Sequence, residues 1–92
     1  MSNNDFERIC KWAVVEYFNN NFSGTEYAAI TEDDVYIVWM CKVLQNNKAL
    51  LSTTIADGRY YEITYNGQEC ELYVDAYTKE ANFVIKTEKE QA

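Results

Sequence analysis

Three turn signals divide the second half of the chain at intervals that fit a meander of strands. They are "QNNK" at 45–48, "ADG" at 56–58 and "YNGQ" at 65–68. Asn and Gly tolerate the left-handed backbone of tight turns, and Asn-Gly is the strongest two-residue hairpin signal. The runs between these turns are rich in Val, Ile, Thr, Tyr and Trp, which favour strands. We therefore predict antiparallel strands near residues 35–44, 49–55, 59–65 and 69–76.

Upstream of these strands, apolar residues recur at helical spacing and predict a helix over about residues 5–18. The apolar positions are Phe6, Ile9, Cys10, Ala13 and Tyr17. Asn4 and Glu7 have the spacing of a capping box. The stretch "ITEDD" leaves residues 31–44 open to two interpretations, because Thr31 with Asp34 could also cap a second helix. The β-branched and aromatic residues that follow favour a strand.

One helix followed by four strands predicts a single α+β domain over residues 1–92. The N-terminal helix should pack on one face of a four-stranded antiparallel meander sheet, an architecture that resembles cystatin-like folds. We leave open a short fifth strand near 82–86, before a charged tail from about residue 87. The likeness is one of architecture and implies no function.

Composition limits the partners and the location that we expect. Fifteen acids against eight bases give a net charge of −7. Such a chain repels nucleic acid and suits a basic surface, although the charge also serves solubility. With no signal-peptide pattern and no apolar run of about 18 residues, we expect a cytoplasmic protein without membrane contact. We read Cys10, Cys41 and Cys70 as reduced, buried thiols, and expect no metal or cofactor.

The residues also argue against catalysis. The chain has no histidine, the usual general base. Asp33 with Asp34, or Glu62 with Glu71, are the carboxylate pairs available for hydrolysis, but the first fits a solvated turn and the second an open sheet face. We therefore predict that the protein is not an enzyme and has no catalytic residue. Arg59 and Lys48, with tyrosines to stack on a base, leave open a small-nucleotide site as an alternative.

A two-residue turn at Asn66-Gly67 would place Glu62 directly opposite Glu71, with Lys42 as the nearest base, two strands away. Alternation of side chains then gathers acids and tyrosines on the face away from the helix. We predict that this face binds a basic partner. The predicted partner-binding residues are Tyr60, Glu62, Glu69, Glu71, Tyr73 and Asp75. On the same register Cys70, Leu72 and Val74 point toward the helix.

The first two strands should carry an apolar continuation of that face. A turn at 46–48 would direct Ile37, Trp39, Cys41 and Val43 inward, and a loop at 56–58, with Gly58 left-handed, would do the same for Leu51 and Ile55. The outward residues, which we predict to form a homodimer interface, are Tyr36, Val38, Met40 and Leu50. Exposed apolar patches usually mark interfaces. The alternative is that residues 78–92 fold back over this patch through Phe83, Val84 and Ile85.

Residues 35–82 resemble a family of small proteins of unknown function encoded by phages and prophages of Gram-positive bacteria. The resemblance rests on "W-x-C-K-x-L-Q-N-x-K-A-L-L-S-T", "D-G-x-Y-Y-E", "T-Y-N-G" and "Y-x-D-A-Y". It implies a phage accessory gene and no known activity. We therefore expect an acidic interaction protein that inhibits a host protein of defence or nucleic-acid handling. Sequestration of a nucleotide signal by an oligomer and a role in phage assembly are the alternatives.

Overall fold

The computed structural model describes residues 1–24 and 26–88 and confirms the α+β architecture. Helix α1 (Asn3–Asn21) is followed by a 3₁₀ turn (Glu32–Asp34) and by four strands. The strands are β1 (Val35–Val43), β2 (Asn46–Thr53), β3 (Arg59–Asn66) and β4 (Glu71–Thr78). They form one antiparallel sheet in the order β1-β2-β3-β4, the predicted meander. Among the described residues, no helix has the length and apolar character needed to span a membrane.

Helix α1 is longer at both ends than its apolar pattern indicated. Its cap is Ser2, whose Oγ accepts a hydrogen bond from Asp5 N at 3.1 Å, so the predicted cap at Asn4 is wrong. The Asn-rich stretch at 19–21 was expected to end the helix, but it is helical up to Asn21. The side-chain amide of Asn19 binds both backbone groups of Ile30, at 3.0 and 2.9 Å. These bonds attach the loop after the helix to the last helical turn.

The core lies between α1 and the central part of the sheet. Its buried apolar residues are Phe6, Cys10, Ala13, Val14, Phe18, Ile30, Val35, Ala49, Leu51, Tyr61 and Ile63. Tyr17 packs edge-on against the ring of Tyr61, with 5.9 Å between centroids. The buried stripe recurs every three or four residues, as expected for a helix with one face on a sheet. Cys10 is buried as predicted, whereas Cys41 and Cys70 are exposed, so that prediction is wrong for two of the three thiols.

The ambiguous stretch before β1 contains a capping arrangement, but it closes a single 3₁₀ turn. Thr31 N donates to Asp34 Oδ2 at 2.9 Å, and Asp34 N donates to Thr31 O at 3.0 Å. Asp34 O also accepts from Thr54 N at 2.9 Å, which fastens the turn to the end of β2. The chain then enters β1 directly, so the strand interpretation is confirmed.

The β3–β4 turn is longer than the predicted two-residue hairpin. Asn66 pairs with Glu71, so residues 67–70 form the loop and every partner on β4 is displaced by four positions. Asn66 Oδ1 accepts hydrogen bonds from Gln68 N at 3.1 Å and Glu69 N at 3.3 Å, which stabilises the wider turn. Cys70 occupies the loop at a φ of 52° and does not face the core. Because the displacement is even, the side chains within β4 keep their predicted faces, whereas Cys70, which was predicted to point toward the helix, does not.

The β2–β3 loop is also longer than predicted, and the side chains of β2 and β3 also keep their predicted faces. Strand β2 ends at Thr53, so residues 54–58 form the loop where three residues were expected. Asp57 Oδ1 accepts from Arg59 N at 3.0 Å, and Gly58 takes the predicted left-handed conformation at a φ of 72°. The pairing is displaced by two positions, again an even number, and Leu51 lies in the core as predicted.

In β1 the prediction fails in its second half. The β1–β2 turn is Leu44-Gln45 rather than 46–48, and a β-bulge at Val38 separates the pairs made by Ile37 and Trp39. The extra residue inverts every later side chain. Trp39, Cys41 and Val43 therefore share the face of Leu50 and Lys48, on the side away from α1. Their predicted inward direction is wrong.

The bulge also reverses the direction of Met40. It was predicted to point away from the helix, but it pairs with buried Ala49 and packs against the core.

The segment after β4 is exposed to solvent. Phe83, Val84 and Ile85 are 76%, 82% and 75% exposed, so the described part of this segment does not cover the apolar half of the sheet. Residues 79–88 contain no strand, so the fifth strand considered near 82–86 is not formed. The rest of the predicted tail, 89–92, lies outside the described residues.

Candidate protein-binding surface

The side of the sheet away from α1, which we call the outer face, is open to solvent. Helix α1 packs on β1 and β2 from the other side. One helix cannot cover both faces, so side chains that alternate away from it remain exposed. The outer face has two halves of different character. We describe them as the apolar half, on β1 and β2, and the acidic half, on β3 and β4.

The acidic half is assembled from four cross-strand pairs. These are Tyr60 with Tyr77, Glu62 with Asp75, Thr64 with Tyr73, and Asn66 with Glu71. Five of the six predicted partner-binding residues therefore share one face. The exception, Glu69, lies in the 67–70 loop. Tyr77 was missed, because β4 was predicted to end at residue 76, although the alternation that begins at Glu71 reaches it.

Like charges do meet across the two strands, but not in the predicted pair. Glu62 lies opposite Asp75, not Glu71, because of the wider turn. Lys48 on β2 lies 3.6 Å from Glu62, measured from Nζ to Oε1, so the expected nearest base, Lys42, is wrong. The Lys48 side chain is 45% exposed, and an exposed ion pair of this kind contributes at most about 1 kcal/mol. Among the described residues Asp75 and Glu71 make no ion pair.

Tyr73 and Glu71 act as a unit along β4. They are two residues apart on the same face, and Tyr73 Oη donates a hydrogen bond to Glu71 Oε2. This hydrogen bond, together with the carboxylate charge, raises the pKa of Tyr73. The phenol is therefore neutral and oriented at physiological pH. A guanidinium group can pair with such a carboxylate and stack on an adjacent ring, and an ammonium group can pair with the carboxylate and make a cation–π contact with the ring.

The apolar half lies beside the acidic half on the same face. Tyr36, Val38, Trp39 and Val43 are 46%, 47%, 41% and 64% exposed, and Leu50 is half-buried among them. Of the predicted homodimer residues, Tyr36, Val38 and Leu50 lie here, and Met40 does not. Trp39 takes its place because of the bulge at Val38. The bulge has no Gly or other local signal in the sequence.

The other candidate sites are occupied by structural contacts. The guanidinium of Arg59 lies 2.7 Å from Asp57 Oδ2 and 3.7 Å from the centroid of the Phe22 ring. Since Lys48 is paired with Glu62, both cations of the nucleotide alternative are engaged. Asp33 and Asp34 were one of the two carboxylate pairs considered for hydrolysis. The carboxylate of Asp34 accepts a hydrogen bond from Thr31 N and so stabilises the 3₁₀ turn.

A separate pocket lies beside the N-terminal half of α1. It measures about 560 Å³ and is lined by Met1, Asp5, Arg8, Ile9, Trp12 and Glu32. Its lining contains neither the acids nor the tyrosines of the outer face. A smaller pocket of about 220 Å³ lies on the outer face itself, and its lining residues are Cys41, Val43, Asn46, Asn47, Lys48 and Thr64. Neither pocket contains the acids and tyrosines of β3 and β4, which offer an exposed contact surface of the kind that suits a macromolecular partner.

Comparison with known proteins supports one assignment. No curated protein and no solved structure matches the chain. The family of unknown function DUF6275 matches residues 7–87, from the first helical turns through β4 and most of the segment that follows. The match includes both halves of the outer face. The chain therefore belongs to the family of unknown function DUF6275.

Proposed function

We propose that this chain is a non-enzymatic interaction protein of phage or prophage origin. It occupies a basic surface of a host protein, one that acts in defence or nucleic-acid handling, and thereby inhibits it. The observation that carries this proposal is the placement of Glu62, Glu71 and Asp75 with three tyrosines on one open face. The phage setting rests on the resemblance of residues 35–82 to phage-encoded proteins.

The charge on this surface is available to a partner. Two of its three carboxylates have no cationic neighbour within 4 Å among the described residues, and the net charge of −7 adds to the negative field. Pairing between β3 and β4 sets the spacing of the carboxylates, so the backbone that carries them is already ordered before a partner binds. Proteins that bind nucleic acid offer basic surfaces for phosphates. An acidic sheet face of this kind competes for such a surface.

The tyrosines supply the contact area that charge alone lacks. Tyr73 and Tyr77 are 48% and 52% exposed. Tyrosine is enriched at interfaces because it buries a large, stiff ring and keeps a polar hydroxyl. Charge should therefore govern association rate and salt dependence, while the rings limit dissociation.

The test uses a charge reversal with a matched control. Glu71→Lys with Asp75→Lys changes the outer face, whereas Glu7→Lys with Glu16→Lys makes the same charge change on exposed positions of α1. Each tagged protein is used to capture partners from host lysate, and bound proteins and small molecules are identified by mass spectrometry. We expect a protein complex that weakens as salt increases, persists with the α1 variant and disappears with the β4 variant. Equal capture by both variants would remove the acidic half from the mechanism.

The nucleotide alternative is less well supported, because Arg59 and Lys48 are engaged in ion pairs. The same capture experiment separates the two ideas. A nucleotide without a protein partner in the bound fraction would favour sequestration and contradict the proposal.

A further inference from the structure

The chain exposes more surface than a free-standing domain of its mass. Its accessible surface is 6910 Å². A folded monomer of 10.7 kDa exposes about 5,500 Å², so the excess is about 1,400 Å². The radius of gyration is 15.9 Å, against about 12 Å for a compact domain of this length. The molecule is flat, with extents of 47 × 40 × 20 Å.

The apolar half is the part of the outer face most costly to leave in water. Its side chains follow β1 as a stripe of two aromatic rings and two valines, Tyr36, Trp39, Val38 and Val43, beside Leu50. None of these carries a charge. Lys48 is the one charged residue at the edge of the stripe on β2, and it is paired with Glu62. Burying this patch therefore desolvates no unpaired charge.

We infer that a second copy of this chain covers the apolar half, face to face about a two-fold axis. In such an interface the same patch meets itself, so the patch must not carry net charge of one sign. The apolar half meets this condition. The acidic half does not, because Glu62, Glu71 and Asp75 would face their own equivalents. Pairing through the β4 edge fails for the same reason, since two of these acids lie on that strand.

The surface that the whole chain exposes in excess of a compact monomer, about 1,400 Å², is larger than the roughly 800 Å² that each partner of a stable interface buries. Aromatic residues are also the side chains that contribute most at interface centres. The inference does not depend on the proposed function, but it has a consequence for it. Each acidic half would extend past the edge of the partner's β1, so the dimer would present two acidic surfaces and bind a paired target with higher avidity.

The experiment compares two tryptophans of similar exposure on opposite sides of the molecule. Trp39 is 41% exposed in the apolar half, and Trp12 is 54% exposed on α1. Sedimentation velocity of the wild-type chain should give twice the 10.7-kDa monomer mass. Trp39→Glu should sediment as a monomer and Trp12→Glu as the dimer. A wild-type monomer at high protein concentration, a dimeric Trp39→Glu or a monomeric Trp12→Glu would each overturn the inference.

Two further variants keep the result interpretable. Circular dichroism shows whether Trp39→Glu is folded; if it is not, Val43→Glu at the exposed end of β1 replaces it with the same expected outcome. The competing occupant is the apolar segment of a neighbouring chain. Replacing Phe83, Val84 and Ile85 by serine should leave the dimer intact. If this triple variant becomes monomeric, that segment and not the apolar half holds the copies together.

Discussion

Gly67 tests whether the β1–β2 and β3–β4 turns pack closely against each other. Replacing it by alanine should stabilise the protein if only the unfolded chain matters, and should destabilise it if the added Cβ meets the neighbouring turn. The φ of Gly67 does not lie in the left-handed region. At such a position Gly→Ala usually stabilises a protein by about 0.4–1 kcal/mol, since it restricts the unfolded chain. In this fold, however, a Cβ on Gly67 would lie 2.4 Å from the carbonyl oxygen of Gln45 and 3.1 Å from its Cβ.

The magnitude follows from that distance. Non-bonded heavy atoms settle at about 3.5–4.0 Å, so one of the two turns must move by roughly 1 Å. The obstacle is backbone, which cannot rotate away as a side chain can. Overpacking of this kind costs about 1–3 kcal/mol. After subtracting the gain in the unfolded state, we expect Gly67→Ala to lower the free energy of unfolding by about 1–2 kcal/mol.

Urea unfolding followed by circular dichroism measures this difference. The midpoint should fall while the slope stays constant, and each kcal/mol should lower Tm by roughly 4–8 °C. Gly24→Ala is the comparison, because Gly24 has a φ of 86° and nothing within 4 Å of its added Cβ. That variant reports left-handed strain alone, about 1–2 kcal/mol. Unchanged or increased stability of Gly67→Ala would refute the close approach of the turns.

Tyr61→Phe removes a fully buried phenol hydroxyl that has no hydrogen-bond partner among the described residues. Because such a hydroxyl is costly to bury, the free energy of unfolding in urea should rise by about 1 kcal/mol. Burial raises the pKa of Tyr61 to about 12, while an unfolded tyrosine ionises near 10. Between these values the unfolded state binds fewer protons, so stability should fall as pH rises, and Tyr61→Phe should fall less steeply. Maleimide labelling of the native protein, followed by mass spectrometry, should modify the exposed Cys41 and Cys70. Burial raises the pKa of Cys10 to about 12, so this thiol should react only after denaturation. Equal labelling of all three cysteines in the native protein would contradict the described core.

The residues on the outer face of β3 and β4 could be predicted although both loops were predicted too short, because each pairing is displaced by an even number of residues. The β3–β4 pairing is displaced by four residues and the β2–β3 pairing by two. Side chains alternate with a period of two, so neither error moved Glu62 or Asp75 to the other face. What the sequence could not specify was which acids oppose each other. That depends on Asn66, whose side chain stabilises a wider turn than Asn-Gly alone favours.

The second half of β1 could not be predicted, because its bulge has a tertiary cause. Ile37 and Met40 both pack against the core although they are three residues apart, an odd spacing that strict alternation forbids. The extra residue at Val38 reconciles the two contacts. Nothing local in the sequence marks this residue, whose effect is to bring Ile37 and Met40 to the same face of the sheet.

The acidic half depends on the hairpin turns more than on the core. Only Leu72 of the eight β4 residues is even half-buried, so β4 is held mainly by its hydrogen bonds to β3. An edge strand with so little burial has low local stability. The register of Glu71 and Asp75 is then set at the turn where Gly67 lies against Gln45. A substitution that separates these turns should therefore weaken partner binding before it unfolds α1 and the core, even though it touches none of the binding side chains.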